Sequence, residues 1–369
     1  MNILYYFKDY NTYMSQWQYK HIFDELERQG HTITVYNPLA YRTIAESNEN
    51  ILPFIKSSKI KFDLFMNCES DGFLYPSSVK AIHDLGLATL LICFDNLHAP
   101  FIHKKIAPLF DIVWLTSFET KWLFEKWGCK KIIFQTYAAN PFNFYPHWKT
   151  PVHSVCFIGS PYGSRISILN TLTQSDVKCD VYTDAIGNEG KGLNKSKVPN
   201  VKISPIEEIR RALSFEIGRK VLYSALLNRS FLKNKSILVQ NEFLSIKPSV
   251  SFEEMQEIYS NNSLSLNTTI LRHTYLLKYP LYKIHLRTFE IPMCGGLEIA
   301  PYSEELASYF EDGKEIVLYK SEDEFVEKSK FYLDPKNDSL ILQIKQKARK
   351  RAENEHTWTH RFNKIFEQI

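Results

Sequence analysis

The chain has 369 residues, of which 44% are hydrophobic and 23% charged, and its formal net charge is +4. A chain of this length exceeds one ordinary core, so two domains are expected, and the composition is typical of a soluble globular protein. The weak positive charge makes no case for nucleic-acid binding, but it suits a phosphate-bearing ligand or loose contact with anionic lipid.

The termini and cysteines predict a cytoplasmic protein. None of the six cysteines forms a CxxC pair, so they are expected to be buried, reduced thiols and not disulfides or zinc ligands. Residues 1–7 enter a strand directly and resemble no signal peptide. No apolar run approaches the ~18 residues of a membrane span, which leaves only peripheral contact with the inner membrane face as a membrane role.

The first part of the chain alternates strands and helices. The pattern predicts strands at 3–7, 32–36, 62–67, 88–94, 111–115 and 131–135, and helices at 14–28, 44–56, 76–85 and 118–127. Repeated units of this length indicate a parallel sheet covered on both faces.

The alternation restarts after a proline-rich linker at 140–151. Strands are predicted at 155–158, 179–183, 263–267, 297–300 and 316–319, with helices at 165–172, 252–260, 287–294, 303–309, 322–333 and 338–353. A basic helical insertion follows residue 205; it suits either a membrane or partner surface, or a solvated helix with one packed face. The predicted domains are 1–150, 151–353 with the insertion at about 205–245, and a terminal helix at 354–369.

The segment 287–296 is the strongest functional signal. A short helix carries Glu290, ends at Gly295-Gly296, and leads into a buried strand. This order places Glu290 at the edge of a parallel sheet where such folds bind nucleotides, and a carboxylate there can accept two hydrogen bonds from a ribose diol. The alternative is a surface glutamate, or one that pairs with Arg287 one turn earlier.

Two tandem parallel sheets without a GxGxxG motif fit the GT-B architecture of nucleotide-sugar glycosyltransferases. Segment 287–296 resembles a signature of the spore-maturation-protein (CgeB-like) glycosyltransferases, related to glycosyltransferase group 1. Similar stretches lie at 155–160, 265–267, 304–319 and 356–361. The resemblance implies an α/β fold with two Rossmann-like parallel-sheet domains facing across a cleft, and a C-terminal helix that crosses back to the first domain.

The resemblance also implies transfer of a sugar from a UDP- or GDP-sugar, held by the second domain, to a glycan, lipid-linked or protein acceptor in surface glycoconjugate biosynthesis. No nucleic acid and no separate cofactor are expected. Related retaining enzymes carry two glutamates spaced E-x7-E. Glu290 matches the second, which grips the ribose, but Tyr282 stands at the position of the first. Retention and inversion therefore both stay open.

The departing diphosphate needs cations or backbone amides, since enzymes of this fold often lack a metal. The candidate donor-site residues are Gly159, Ser160, Arg165, Lys283, Arg287, Gly295 and Gly296. Each cation has the alternative of a solvated surface charge. No His, Cys, Asp and Glu set has metal-ligand spacing, so no metal is expected.

An inverting enzyme also needs a base from the first domain, and Asp95 and His98 follow a predicted strand end there. Glu69 and Asp71 are the next candidates, while a retaining enzyme needs no such base. Two other functions share the fold. An epimerase needs more clustered acids and histidines than the sequence offers, and an inactive carbohydrate-binding subunit would explain the missing first glutamate.

Overall fold

The computed structural model describes residues 1–10, 13–184, 204–231 and 237–369. They divide into two units. The first unit contains Met1–Asn140 and Trp358–Ile369, and the second contains the described residues of 141–198 and 205–357. The last helix therefore belongs to the same unit as the N-terminal sheet.

Each unit is built on one sheet. The strands are β1 Asn2–Tyr6, β2 Thr32–Tyr36, β3 Leu64–Asn67, β4 Ala88–Cys93, β5 Ile112–Leu115, β6 Ile132–Phe134, β7 Val152–Ile158, β8 Cys179–Tyr182, β9 Leu244–Lys247, β10 Asn262–Leu266, β11 Glu298–Pro301 and β12 Val317–Tyr319. They form two six-stranded sheets ordered β2-β1-β3-β4-β5-β6 and β12-β11-β10-β7-β8-β9. All pairings between these strands are parallel, as the alternation predicts.

Helices connect the strands. They are α1 Tyr13–Gln18, α2 Asp24–Arg28, α3 Ile44–Ser57, α4 Pro76–His83, α5 Lys121–Trp127, α6 Ser164–Gln174, α7 Pro205–Leu213, α8 Glu216–Phe231, α9 Phe252–Asn261, α10 Arg287–Met293, α11 Glu304–Tyr309, α12 Glu322–Leu333, α13 Asp338–Glu355 and α14 Trp358–Phe366. A π-helical turn, Tyr19–Phe23, joins α1 to α2. None of the helices in the described ranges is both long and apolar enough to cross a bilayer.

The central strands are buried on both faces, since helices cover both sides of a parallel sheet. In the first unit β3 and β5 are buried along their whole length. In the second, Phe157, Leu266 and Ile299 belong to a core that α6, α12 and α13 complete. The apolar runs of the sequence therefore predict the cores correctly.

Strand order locates the point where the second sheet changes direction. From β7 the chain goes first to β8 on one side and returns later to β10 on the other side. Because the strands are parallel, the carboxyl ends of β7 and β10 lie side by side at this switch point, where open α/β sheets bind ligands.

The segment after Asn140 belongs to the second unit and packs on α9. The backbone amides of Tyr145, His147 and Lys149 donate to side chains of α9 at 3.3, 2.6 and 2.8 Å. This segment, with its three prolines, is therefore held against α9. The sequence predicts only a linker here, because the segment has no hydrophobic periodicity.

The sequence pattern predicts a single helical insertion after residue 205, but the structure shows more than one element there. It contains α7 and α8 with a break at 214–215, followed by β9, the edge strand of the second sheet. Residues 232–236 of the insertion lie outside the described ranges. The sequence does not predict β9, because four residues, Leu244–Lys247, are too few to show a period of two clearly.

Candidate functional site

The turn after β7 is shaped around an arginine from α10. Nε of Arg287 donates to the carbonyl of Ile158 at 3.0 Å. Gly159 follows with φ of +141°, and a Cβ there would lie 2.5 Å from Nη2 of Arg287. The absence of a side chain at this position therefore lets the guanidinium lie against the turn.

The backbone amide of Gly159 does not face the site, although the sequence predicts that it could bind a phosphate. It donates to the carbonyl of Tyr182 at 3.0 Å, extending the pairing of β7 with β8. This N–H is consequently not available to a phosphate, contrary to the sequence-based expectation. Gly159 contributes space at the site, and the neighbouring Ser160 lies exposed at the turn.

Arg165 reaches the same edge from the first turn of α6. Its Nε donates to Oγ1 of Thr268 at 3.1 Å and its Nη1 to the carbonyl of Ser160 at 2.9 Å. The guanidinium lies 4.3 Å from the centre of the Tyr162 ring, a cation–π contact. These contacts hold a side chain that is only 9% exposed, so Arg165 is not the solvated surface charge of the alternative interpretation.

The two arginines repel each other. Burial, and then the charge of Arg287, lowers the pKa of Arg165 to about 10. Within the described part of the chain neither guanidinium forms an ion pair with a carboxylate. Because a buried cation without a counter-charge is costly, this pair is suited to bind an anion with two negative charges, such as a diphosphate.

A buried polar network lies beside the arginine pair. Asn267, directly after β10, donates from Nδ2 to Oγ1 of Thr288 at 3.0 Å and to Oε1 of Glu298 at 2.9 Å. Burial raises the pKa of Glu298 to about 7, while Asn267 and the charge of Arg287 act in the opposite direction. The network links the end of β10 to the first residues of α10 and β11.

The other predicted donor-site residues, Glu290 and Lys283, lie on α10 and in the loop before it. Glu290 stands one turn after Arg287 and is 5% exposed, but these two described side chains form no ion pair with each other. Lys283 is equally buried, and its amide donates to the carbonyl of Thr269 at 2.7 Å. Tyr282 pairs as a single antiparallel bridge with Ile270. Lys283 therefore lies in the loop that pairs with the residues after β10, and Glu290 lies on the helix that follows this loop.

The glycine pair has a packing explanation. Gly295 has φ of +73°, and a Cβ there would lie 2.7 Å from Nε1 of Trp148. The same Nε1 donates to the carbonyl of Gly295 at 2.9 Å. A Cβ on Gly296 would lie 2.8 Å from the carbonyl of Tyr259. The atoms that require glycine here belong to the protein, so a ligand-binding role for Gly295 and Gly296 stays a prediction.

The predicted base residues lie in the first unit, after β4. Asp95 is exposed and His98 is partly buried. Between them, the fully buried Asn96 donates from Nδ2 to the carbonyl of Ser117 at 2.6 Å and accepts at Oδ1 from the amide of Thr116 at 3.0 Å. Asn96 thus fixes the turn that presents Asp95 and His98, whose catalytic role stays a prediction.

The second-choice acids are occupied in the fold. Glu69 forms an ion pair with Lys8 at 2.8 Å and also accepts from the amide of Lys8 at 3.1 Å. Asp71 accepts from the amide of Lys105 at 3.2 Å. Both carboxylates connect loops at the carboxyl edge of the first sheet.

Sequence reasoning missed Thr268, Asn267 and Glu298 as site residues. Two signals point to them: the polar run 267–269 directly follows a buried strand, and Glu298 is an acid inside the apolar run 297–300. A buried polar residue in such a run needs a partner, and partners at a parallel sheet edge often belong to a site. As for metals, the described residues contain no group of three His, Cys, Asp or Glu arranged to hold an ion.

Comparison with known sequences finds a family model that matches the last third of the chain. Residues 240–367 match the family model described as glycosyl transferase-like. The match includes β10, α10 and β11 of the candidate site. The sequence has no significant match among curated proteins. The CgeB-like subgroup suggested by the sequence signature is thus not identified by these comparisons, while the broader glycosyltransferase relation is supported.

The fold is that of GT-B glycosyltransferases. HepE from Anabaena, solved with UDP-glucose, is 11% identical with a TM-score of 0.56 over 100% of this chain and 99% of its own. An alpha-glucosyltransferase, solved with UDP-glucose and DNA containing an abasic site, is 12% identical with a TM-score of 0.61 over 99% and 98%. Sucrose-phosphate synthase from Thermosynechococcus elongatus is 11% identical with a TM-score of 0.53 over 100% and 98%. At these identities the likeness establishes the fold.

Proposed function

We propose that this chain is a glycosyltransferase that moves a sugar from a nucleoside diphosphate donor, and that its second unit binds the donor. The observation that supports this most is the pair Arg165 and Arg287, which lies at the switch point of the sheet and has no carboxylate partner among the residues that the structure describes. In sugar transfer the bond between the anomeric carbon and the diphosphate breaks. Cations at that diphosphate stabilise the charge that develops on it.

Other residues of the second unit fit the rest of the donor. Glu290, buried on α10 one turn from Arg287, is proposed to accept hydrogen bonds from the ribose diol. Ser160 and Lys283 are proposed to contact the phosphates. The acceptor hydroxyl forms the new bond and loses its proton either to a base, for which Asp95 and His98 are the candidates, or to the leaving diphosphate.

UDP-glucose is the first donor to test, because the structures of HepE and the alpha-glucosyltransferase contain it. The proposed acceptor is a glycan, a lipid-linked glycan or a protein in surface glycoconjugate synthesis. The DNA in the alpha-glucosyltransferase complexes is that protein's ligand. The net charge of +4 gives no separate support for nucleic acid here.

The decisive experiment measures nucleotide-sugar binding by calorimetry and turnover by product analysis, with UDP-, GDP-, TDP- and CMP-sugars. We expect R165Q and R287Q each to weaken binding of the preferred donor about tenfold or more, since a lost charged hydrogen bond costs about 1.5–3 kcal/mol. R210Q is the matched control, because Arg210 is exposed on α7, where it pairs with Glu207 of the same helix. Activity in excess EDTA tests metal independence.

The outcomes separate the alternatives. Binding followed by a changed sugar nucleotide without acceptor indicates an epimerase, and binding without any turnover across acceptors indicates an inactive subunit. If no nucleotide sugar binds, or if R165Q and R287Q bind as the wild type does, the proposal is wrong.

We also propose that α7 contacts anionic lipid at the membrane surface. This helix has no buried residue and exposes Ile206, Ile209 and Leu213. Its arginines Arg210 and Arg211 both pair with Glu207, so the contact would depend mainly on apolar side chains. Cosedimentation with phosphatidylserine vesicles, compared between the wild type and I206S/L213S, tests it; equal binding by both proteins contradicts a role for α7.

A further inference from the structure

We propose that Glu298 is a protonated carboxyl that positions Asn267, and that its ionisation weakens donor binding through Arg287. Glu298 is then a positioning residue, because it acts on the donor only through other side chains. The inference rests on the proposed function, since it assumes that Arg287 contacts the donor diphosphate.

Both side-chain amide hydrogens of Asn267 are used in hydrogen bonds. Glu298 is 2% exposed and opens β11, which pairs with β10 on one side and β12 on the other. Nδ2 of Asn267 has two hydrogens, and it makes two contacts, one to Oε1 of Glu298 at 2.9 Å and one to Oγ1 of Thr288 at 3.0 Å. Asn267 therefore has no further hydrogen to give to Glu298.

Two acceptor atoms of the same pair remain without donors. Among the described residues, Oε2 of Glu298 and Oδ1 of Asn267 are buried and have no hydrogen-bond partner. If Glu298 were ionised, Oε2 of Glu298 and Oδ1 of Asn267 would both lack a hydrogen-bond donor, which is costly inside a protein. A proton on Oε2 offers the missing donor for Oδ1 of Asn267, so that amide and acid join through parallel hydrogen bonds. Burial favours this proton, since it raises the pKa of Glu298 to about 7.

The charge of Glu298 bears on the donor through Arg287. The Arg287 guanidinium lowers the pKa of Glu298, which means that it attracts the ionised carboxylate. When Glu298 is ionised, its negative charge competes with a diphosphate for Arg287 and repels that diphosphate directly. Donor binding should therefore favour the neutral acid, and above the pKa of Glu298 it takes up a proton from solvent.

Other titratable groups lie on the packed elements. They are Glu290 on α10, Cys156 on β7, the strand that pairs with β10, and Lys345 on α13. Burial raises the pKa of Cys156 to about 12, so this thiol stays neutral. Burial lowers the pKa of Lys345 to about 8, where it donates to the carbonyls of Ser260 and Asn262. Because Lys345 titrates in the same range, the contribution of Glu298 must be isolated by substitution.

The test compares UDP-glucose affinity from pH 6.0 to 8.5 in the wild type, E298Q and E304Q. UDP-glucose is used because its diphosphate diester keeps the same charge over this range. Glutamine keeps the acceptor and the donor of the protonated acid, and Glu304 is an exposed acid at the start of α11. We expect affinity to fall about tenfold with rising pH in the wild type and E304Q, and to change less than about twofold in E298Q. An equal fall in all three proteins overturns the inference.

A second measurement needs no nucleotide, so it separates this inference from the proposed function. The pKa of Glu298 rises from 4.5 to about 7 on folding, so the folded state holds the proton more tightly than the unfolded chain. The unfolding free energy of the wild type therefore decreases, through Glu298, as pH rises from the unfolded to the folded pKa, and this contribution is constant above the folded pKa. We expect the Tm of E298Q relative to the wild type to be higher at pH 8 than at pH 5. A pH-independent difference contradicts protonation of Glu298.

A third measurement covers the case in which E298Q does not fold. Calorimetry of UDP-glucose binding to the wild type at pH 8 in two buffers of different ionisation enthalpy gives the protons taken up per donor. A tenfold loss of affinity corresponds to a tenfold difference in proton affinity between free and donor-bound Glu298, so we expect uptake of roughly 0.4 proton per donor at pH 8. Uptake of this size supports the inference. No uptake overturns it. Absence of binding at every pH, with the expected Tm difference, contradicts the proposed function and leaves the protonation of Glu298 supported.

Discussion

Nη2 of Arg287 occupies the space in which a side chain at Gly159 would begin, 2.5 Å from the position of its Cβ. Since φ of Gly159 is +141°, alanine there is strained and also displaces the guanidinium. We expect G159A to weaken UDP-glucose binding about tenfold, or about 1.4 kcal/mol. In an R287Q background the same change should have much less effect on binding, because the displaced group is already absent. Additive losses in this double-mutant cycle, measured by calorimetry, contradict the coupling of the two residues.

Glu290 is expected to recognise the ribose. E290Q should weaken binding of UDP-glucose more than it weakens binding of the 2′-deoxyribose analogue, since a carboxylate accepts hydrogen bonds from both ribose hydroxyls. The difference should be about tenfold, measured by competition calorimetry. E304Q, which changes an exposed acid at the start of α11, is the control. An equal loss for both nucleotides indicates that Glu290 supports the helix and does not contact the diol.

Asp95 and His98 are expected to act on turnover and not on donor affinity. If one of them is the base of an inverting reaction, D95N or H98Q lowers kcat about 10²-fold or more while the Kd of UDP-glucose is unchanged. N96A, which removes the buried amide that fixes their turn, should lower kcat and stability together. Wild-type kcat in both D95N and H98Q contradicts a base at this turn and favours proton transfer to the leaving diphosphate.

Gly295 is expected to matter for stability and little for binding. A Cβ there would lie 2.7 Å from Nε1 of Trp148 and 2.8 Å from Pro146, and the positive φ of +73° adds strain. We expect G295A to destabilise the protein by about 1–3 kcal/mol in urea unfolding. The Kd of UDP-glucose for the folded protein should change less than about twofold. A large loss of affinity with unchanged stability would place Gly295 at the ligand instead.

Glu25 is expected to anchor the last helix within the first unit. Its buried carboxylate accepts from the amides of Trp358 and Thr359 at 3.2 and 2.6 Å, and from Oγ1 of Thr359 at 2.6 Å. Because each bond to a charged group contributes about 1.5–3 kcal/mol, E25A should destabilise the protein by at least about 2 kcal/mol. E27A, at an exposed position of the same helix, should change urea unfolding by less than about 0.5 kcal/mol. Equal effects of both variants contradict an anchoring role.

Much of the fold follows from local patterns. Helix ends agree with their sequence signals, as at α9, where Ser251 and Glu254 form a capping box. Strands such as β4 are apolar runs buried on both faces. The same logic located Glu290 and Arg287 on one short helix before a glycine. The two parallel-sheet units were therefore predictable, because periodicity and capping depend on residues near one another in the chain.

Contacts between distant segments depend on the tertiary structure. The order of residues shows that Arg165 follows β7 and that Arg287 opens α10, but the order of strands brings them to one edge, where burial and the charge of Arg287 lower the pKa of Arg165. The same packing directs the amide of Gly159 to β8 and buries Glu298 against Asn267. Such relationships depend on burial and on partners far along the chain, and these properties have no local pattern to reveal them.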